Sequence, residues 1–234
     1  MNVNTLIEQV YYRIGRYDAF NQETHHTEIL NALNTVQRSI NNELNLDELR
    51  VTTTLAAVDG TRSYNLASDF LKMDTIWSDG EYSHELRRIY PNEYKNYGSD
   101  IDTTEGTLYY YDIFDESSNV KQIYFIPIPG TTDTIPYQYY KKIADLSAGG
   151  GANILTTYYP DLFIEGASYF MYRDLIYRDQ PEKIAFRKAE YKEQVEKVKR
   201  AQRKIEKINN VAPKRIIRSG LNNLYTTQFS GYTS

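Results

Sequence analysis

The chain has 234 residues, 41% hydrophobic and 25% charged, enough for one globular core or a core with an inserted subdomain and too few for a large multidomain machine. It has no cysteine, no apolar run of about 18 residues and no basic-then-apolar opening, which excludes disulfide frameworks and thiolate chemistry and argues against a membrane span or a secretory leader. The formal net charge of −4 is near neutral but unevenly divided: residues Pro181 to Arg218 hold 13 Lys and Arg against 5 Glu, a surplus of +8 that leaves −12 on the rest.

Val3, Leu6, Ile7, Val10, Tyr11 and Ile14 recur at three- and four-residue intervals, predicting a helix over Val3 to Arg16 that Gly15 loosens at its end. Ile29, Leu30, Leu33, Val36, Ile40 and Leu44 repeat the pattern and predict a second amphipathic helix from Glu23 to Asn45. From Arg50 the period falls to two. Val51 to Leu55 and Ser63 to Leu66, on either side of the Asp59-Gly60 turn dipeptide, read as a hairpin. Met73 to Trp77 and Glu85 to Ile89 are short strands. Leu108 to Phe114 and Val120 to Ile126 form a second hairpin, and Ile135 to Lys141 is a further strand that Pro136 assigns to an edge.

Three consecutive glycines within Ser147 to Asn153 read as a flexible connector back to helix. Pro160 suits the first turn of a helix, where no backbone donor is required, and Asp161 suits its positive end. Leu162, Phe163, Gly166, Ala167, Phe170 and Met171 then make a stripe with small residues that permit close helix contact. After a break at Arg178 to Pro181 a long helix runs to about Asn209, with Ile184, Tyr191, Val198 and Ile205 repeating every seven residues. Its basic residues, interleaved with glutamates beside an apolar stripe, point to a solvated face or a protein partner, with DNA proximity as the alternative. Beyond Asn210 the pattern is lost to Pro213, Gly220 and Gly231. Yet Ile216, Ile217, Leu221, Leu224, Tyr225 and Phe229 are too apolar for an inert tail, and predict an arm that orders against another subunit or folds back on its own chain.

The expected fold class is therefore α+β. Residues 1–49 and 147–209 supply helices packed as one bundle, 50–146 form an inserted antiparallel β subdomain, and 210–234 are an extended C-terminal arm. Tyrosine is the compositional outlier, at 23 residues beside eight Phe and one Trp. A ring that also carries a hydroxyl suits half-wet protein contacts, and codon bias toward Tyr, Asn and Ile is the competing cause.

No catalytic constellation stands out. Asp100 with Asp102, and Asp112 with Asp115 and Glu116, fall in turns or strand ends where carboxylates are ordinarily hydrated. Adjacent His25 and His26 diverge on a helix and lack metal-ligand spacing. His84 stands alone with no nucleophile elbow, and Gly149 to Gly151 are followed by Asn153 and Ile154 where a phosphate loop needs Lys and Ser or Thr. No cofactor and no metal is expected.

Two stretches carry a family resemblance. Gly60-Thr-Arg-Ser-Tyr-Asn-Leu-Ala-Ser-Asp-Phe-Leu-Lys-Met73 resembles the turn and Tyr-x-Leu-Pro-x-Asp-Phe-Leu strand of head-to-tail adaptor (connector) proteins of short-tailed, podovirus-like bacteriophages, with Ala67 where proline is usual. Tyr158-Tyr-Pro-Asp-Leu-Phe-Ile-Glu-Gly-Ala167 is similar to the opening of their penultimate helix, and the long charged helix that follows also fits. The resemblance covers about Val3 to Asn209.

It implies a structural, non-enzymatic virion protein of the head-tail junction, assembled in the host cytoplasm as a homo-oligomeric ring of twelve subunits below the portal. Its expected partners are the portal protein and a downstream tail or nozzle protein, with genomic DNA passing through without specific binding and no membrane contact. Half-covered helices, abundant tyrosine and an adhesive arm fit a protomer that completes its burial laterally in a closed ring. An acidic β region facing the channel would repel phosphates, while the basic helix met an acidic partner. Ile216, Ile217, Leu221, Leu224, Tyr225 and Phe229 are the residues expected to reach the portal or a neighbouring subunit. The competing readings are a receptor- or glycan-binding tail module, which exposed tyrosine also suits, a tail-associated hydrolase with two facing carboxylates, and a DNA-binding protein.

Overall fold

The computed structural model describes residues 1–16, 23, 25–78, 84–90, 93, 105–115, 120–176 and 180–226, with the side chains of 115 and 205–226 outside the description. Among the described residues five α-helices and ten strands follow in chain order. Helices α1 (Val3–Arg13) and α2 (His26–Glu43) come first, then β1 (Arg50–Ala57), β2 (Ser63–Asn65), β3 (Phe70–Ser78), β4 (His84–Glu85) and β5 (Arg87–Arg88). Next are β6 (Glu105–Gly106), β7 (Tyr110–Asp115), β8 (Lys121–Ile126), β9 (Ile128–Pro129) and β10 (Asp133–Lys141), then α3 (Ile154–Tyr158), α4 (Pro160–Met171) and α5 (Pro181–Thr226). The chain divides into a helical unit, Met1–Leu44 with Asp145–Ser234, and a β unit, Asn45–Ala144. The architecture is mixed helix and mainly antiparallel sheet. Among the described residues no helix is long and apolar enough to cross a membrane.

In the helical unit most of the predicted stripe residues are buried, while Leu30 and Phe170 are half-buried at the edges of theirs. Val3, Leu6, Ile7, Val10, Tyr11 and Ile14 of the first helix are buried, as are Ile29, Leu33, Val36, Ile40 and Leu44 of the second. The Asn2 side chain caps α1 by accepting from the Thr5 amide at 2.8 Å, satisfying one of the donors a helix start leaves free. Pro160 opens α4 as predicted. Leu162, Phe163, Gly166, Ala167 and Met171 are buried along it, and α4 contacts all four other helices. Fully burying side chains such as Phe163 and Leu162 is worth about 1.5–3 kcal/mol each. At the end of α4 the winding loosens into a π-helical turn, Tyr172–Ile176.

The glycine segment is less free than expected. Gly149 adopts φ +71° in a turn closed by the Gly150 amide donating to Ser147 O at 2.9 Å, and Gly150 O accepts from the Val3 amide at 3.4 Å. Asn34 fixes the chain just before it, its Nδ2 donating to Leu146 O at 3.1 Å and its Oδ1 accepting from the Leu146 amide at 2.7 Å. These bonds satisfy buried backbone groups that a loose connector would leave to water.

The β unit is two four-stranded sheets, β1-β10-β3-β4 and β2-β8-β7-β5, with a short β6-β9 pair. Leu55, Phe70, Ile76, Ile135, Tyr137 and Tyr139 of the first sheet and Tyr111, Ile123 and Phe125 of the second belong to one buried cluster, so the sheets share a core. The hairpin of β7 and β8 forms as predicted, from Tyr110↔Ile126 to Asp115↔Lys121.

The first predicted hairpin does not form. Strand β1 pairs with β10 and β2 pairs with β8, so the Asp59-Gly60 turn carries the chain from one sheet to the other. Tyr64 holds this crossing: its hydroxyl accepts from the Val58 amide at 2.9 Å and donates to Thr61 O at 2.7 Å. Glu85 to Ile89 likewise splits at buried Leu86 into β4 and β5, on different sheets. Strand β10 is central rather than an edge, because the β3 ladder starts only at Tyr137 and leaves Pro136 paired with β1 alone. The strand is thus locally an edge at the residue that cannot donate. Two short pairings, β5 with β7 and β6 with β9, are parallel where only antiparallel ones were expected.

The last helix also differs. Its backbone continues through Thr226, so 210–226 are helical rather than an extended arm. Pro213 in a helix interior costs about 3 kcal/mol, which is why the sequence pattern reads as ending there. Of the predicted break at Arg178 to Pro181, Arg178 and Asp179 lie outside the described residues.

Gly166 is the tightest point of the helical unit. A Cβ there would lie 2.6 Å from Val36 Cγ2 and 2.9 Å from Tyr191 Cε2. Gly166→Ala gains about 1 kcal/mol of helix propensity and loses about 1–3 kcal/mol to overpacking against a stiff valine and a ring. A lowered chemical-denaturation midpoint with unchanged slope is the expected result, and a raised midpoint contradicts the contact.

Candidate functional site

Helix α5 is held to the helical unit by one face. Ile184, Arg187, Glu190, Tyr191, Gln194, Val195, Val198, Lys199 and Gln202 are its half-buried or buried residues, so the predicted seam of Ile184, Tyr191 and Val198 is filled in at three- and four-residue steps, partly by polar side chains, while the side chain of Ile205 lies outside the described residues. Tyr191 stacks on Tyr169 of α4, with ring centroids 6.2 Å apart and planes 12° from parallel. Buried Gln202 donates its Nε2 to the Tyr159 hydroxyl at 2.8 Å.

At the N-terminal end of α5 the hold is ionic. Arg13 of α1 and Arg187 of α5 alternate with Glu165 of α4 and Glu190 of α5. Arg13 pairs with Glu165 and reaches Glu190 at 3.1 Å, while Arg187 meets Glu190 at 2.7 Å and Glu165 at 3.8 Å. The Arg187 Nη2 also donates to the Arg13 carbonyl at 2.9 Å, and its guanidinium lies 5.1 Å from the Tyr172 ring centroid. Burial works against the Arg187 charge, but hydrogen bonds with Tyr172 and Glu190 outweigh it and hold its pKa above the ordinary arginine value. Two cations and two anions cancel, so three helices are tied together without an uncompensated charge in a site where one would be costly.

Length then sets what α5 can do. A helix of 46 residues spans about 69 Å, and the next longest, α2 with 18 residues, about 27 Å. Among the described residues no other helix of its unit matches it in length. Of the residues predicted to reach a partner, Ile216, Ile217, Leu221, Leu224 and Tyr225 fall on this final stretch of α5, with their side chains outside the described residues, and Phe229 lies outside them altogether. Ile217, Leu221 and Leu224 stand at i, i+4 and i+7, a helical spacing legible in the sequence but obscured by Pro213 and the Asn209-Asn210 pair.

Of the groups considered for catalysis, His84, Asp112 and His25 each have local partners among the described residues. The His84 Nε2 lies 2.7 Å from Leu108 O, a contact that makes this nitrogen the donor. Buried Asp112 faces Arg88 at 3.7 Å and accepts from the Ile113 amide at 2.7 Å. His25 lies 3.7 Å from Glu28. Asp100, Asp102 and Glu116, and the side chain of Asp115, lie outside the described residues. No three metal-ligating side chains cluster among the described residues.

The tyrosines are divided between core and surface. Tyr11, Tyr111, Tyr137, Tyr139, Tyr140 and Tyr172 are buried, whereas Tyr12, Tyr90, Tyr109 and Tyr158 are exposed. Much of the excess is structural. Tyr140 shows how: it lies beneath two cations, Lys72 at 5.0 Å and Arg50 at 5.6 Å from its ring centroid, and accepts from Arg50 Nη2 at 3.1 Å.

Two outcomes test this anchorage. Arg187→Met is expected to cost on the order of 3 kcal/mol because it strips a buried carboxylate of one cation, and adding Glu165→Gln in the same chain is expected to recover part of the loss in a double-mutant cycle. Burial pushes the Tyr191 phenol up to about 12 from an ordinary value of 10. With the folded pKa raised, its contribution is complete below about pH 10 and is lost as pH rises toward 12. Alkaline unfolding followed by circular dichroism should therefore shift to higher pH in Tyr191→Phe.

No curated protein sequence matches the chain. The family model for the SU10 adaptor protein matches residues 1–214, which takes in both units and the anchored part of α5. In agreement with the resemblance to bacteriophage head-to-tail adaptors, the chain belongs to the SU10 adaptor protein family.

Proposed function

We propose that the protein is a structural component of the virion that forms a ring below the portal, joins the DNA-filled capsid to the tail and lets DNA pass. Membership of an adaptor family supports a phage structural adaptor with portal and tail partners. The observation that carries the finer reading is α5, a helix of 46 residues. Its first half is fixed by stacking, a buried glutamine and four alternating charges, and among the described residues no other helix of the unit matches the whole in length. An apolar stretch so placed finds cover in another chain, and a closed ring repeats one such contact without leaving an edge. Twelve copies, as the family resemblance implies, would present twelve such helices to the portal or to neighbouring subunits.

Ile216, Ile217, Leu221, Leu224, Tyr225 and Phe229 supply the apolar contact in this reading. Truncation after Asn210 removes all six and spares the anchored face. The truncated chain is expected to keep the secondary structure and cooperative unfolding of the helical and β units while failing to enter particles. Normal incorporation of the truncated protein into virions refutes the proposal.

A further inference from the structure

With its apolar face on α4, α5 carries a mainly basic stripe along its polar side, interrupted by Glu193 and Glu196. Lys188, Lys192, Lys199 and Arg203 follow at intervals of four, seven and four, within about 60° of arc and over about 22 Å of helix. Lys199 takes Glu196 at 3.4 Å. Lys188, Lys192 and Arg203 are exposed and have no ion-pair partner among the described residues.

The β unit has the opposite balance, with nine Lys and Arg against sixteen Asp and Glu, a net −7. Several of its carboxylates are already engaged: Asp47 and Asp74 each hold Arg50 at 3.1 Å, Glu93 faces Arg87 at 3.8 Å, Asp112 faces Arg88, and Asp69 accepts from the Tyr139 hydroxyl at 2.7 Å. Asp59, Glu105 and Asp133 are not in ion pairs among the described residues, and they gather at one end of the unit. Asp133 is the register partner of Ala57, two residues before Asp59. The next residue, Gly60, donates its amide to Pro129 O at 2.9 Å, and Glu105 Oε1 lies 3.8 Å from where a Gly60 Cβ would be. Asp59 and Glu105 are exposed and Asp133 is half-exposed.

We propose that the basic stripe of α5 docks on the Asp59, Glu105 and Asp133 end of a second copy of this chain. The inference rests on the ring reading and names the contact that repeats around it. The two patches match, three cations to three carboxylates without ion-pair partners among the described residues, although one Asp133 oxygen accepts from the Thr134 amide at 2.7 Å, and they sit on different parts of the chain. Pairing them is head-to-tail, the geometry that closes into a ring, whereas a two-fold contact through either patch would set like charges face to face. Glu193 and Glu196, exposed between the cations, favour a protein surface over a phosphate backbone. Exposed ion pairs add little stability individually; their effect is to speed association and reject wrong registers.

The test is a charge swap in the full-length chain, read as subunit number by native mass spectrometry and as assembly rate by light scattering, alone and with the portal complex. The stripe variant carries Lys188→Glu, Lys192→Glu and Arg203→Glu; the end variant carries Asp59→Lys, Glu105→Lys and Asp133→Lys. Each alone is expected to assemble at least about tenfold more slowly than the unaltered chain at low salt. An equal mixture is expected to recover, because every stripe then meets an end of opposite sign in an alternating ring, and recovery also shows that both variants fold. Unaltered chains that form rings while both variants assemble at the normal rate, or a mixture that does not recover, overturn the inference and leave the ring reading standing. Absence of a ring from the unaltered chain, with or without portal, removes the ring reading and this contact together. A stripe variant that assembles normally but loses retention on duplex DNA makes the stripe a nucleic-acid surface and overturns the inference.

Discussion

The helical unit depends on a missing methyl group. At Gly166, Val36 of α2 and the Tyr191 ring of α5 both crowd the place a β-carbon would take, at distances no β-carbon would permit. The missing β-carbon lets α2 and α5 meet at α4, a 12-residue helix that also contacts α1 and α3. It brings the N-terminal segment, α1 and α2, and the C-terminal segment, α4 and α5, into a single core although the whole β unit intervenes in sequence. A larger side chain would hold the helices apart, and dispersion contacts between them fall off steeply with separation.

The same packing decides where charge can go. Glu165 lies one residue from the tight contact, on the side where α1 and α5 meet α4, and is buried there. Arg13 and Arg187 approach it from those two helices, and Glu190 balances the second arginine. The cluster ties the start of α5 to α1 and α4, its four alternating charges coming from three helices. Lys188, Lys192 and Arg203 have no such role; they are exposed and have no ion-pair partner among the described residues, so their charge is available to another molecule.

Much of this was legible in the sequence, and what was missed shares one cause. Stripes such as Val3-Leu6-Ile7-Val10 gave the helices and their buried faces because helical period is a property of neighbouring residues. Pro160 marked the start of α4, and the run from Leu108 to Ile126 marked its hairpin, because their signals are equally local. Two motifs, around Tyr64 and Asp161, were enough to name the family. By contrast, Asp59-Gly60 carries the same turn signal whether the following strand pairs back on β1 or crosses to another sheet, and Pro136 looks the same on a true edge and on a central strand whose neighbour starts one residue later. Pro213 weighed against a helix that the backbone nonetheless continues.

By itself, then, the sequence determined the element types, their buried faces, the absence of thiol chemistry and the adaptor family. Tertiary structure alone decided which strands pair, that Glu165 and Arg187 meet, and which carboxylates are neutralised and which stay available. The physical reason is range: period, capping and turn preference act within a few residues, whereas strand partners and ion pairs join positions such as Arg13 and Glu190, or Val51 and Tyr139, that only the folded chain brings together.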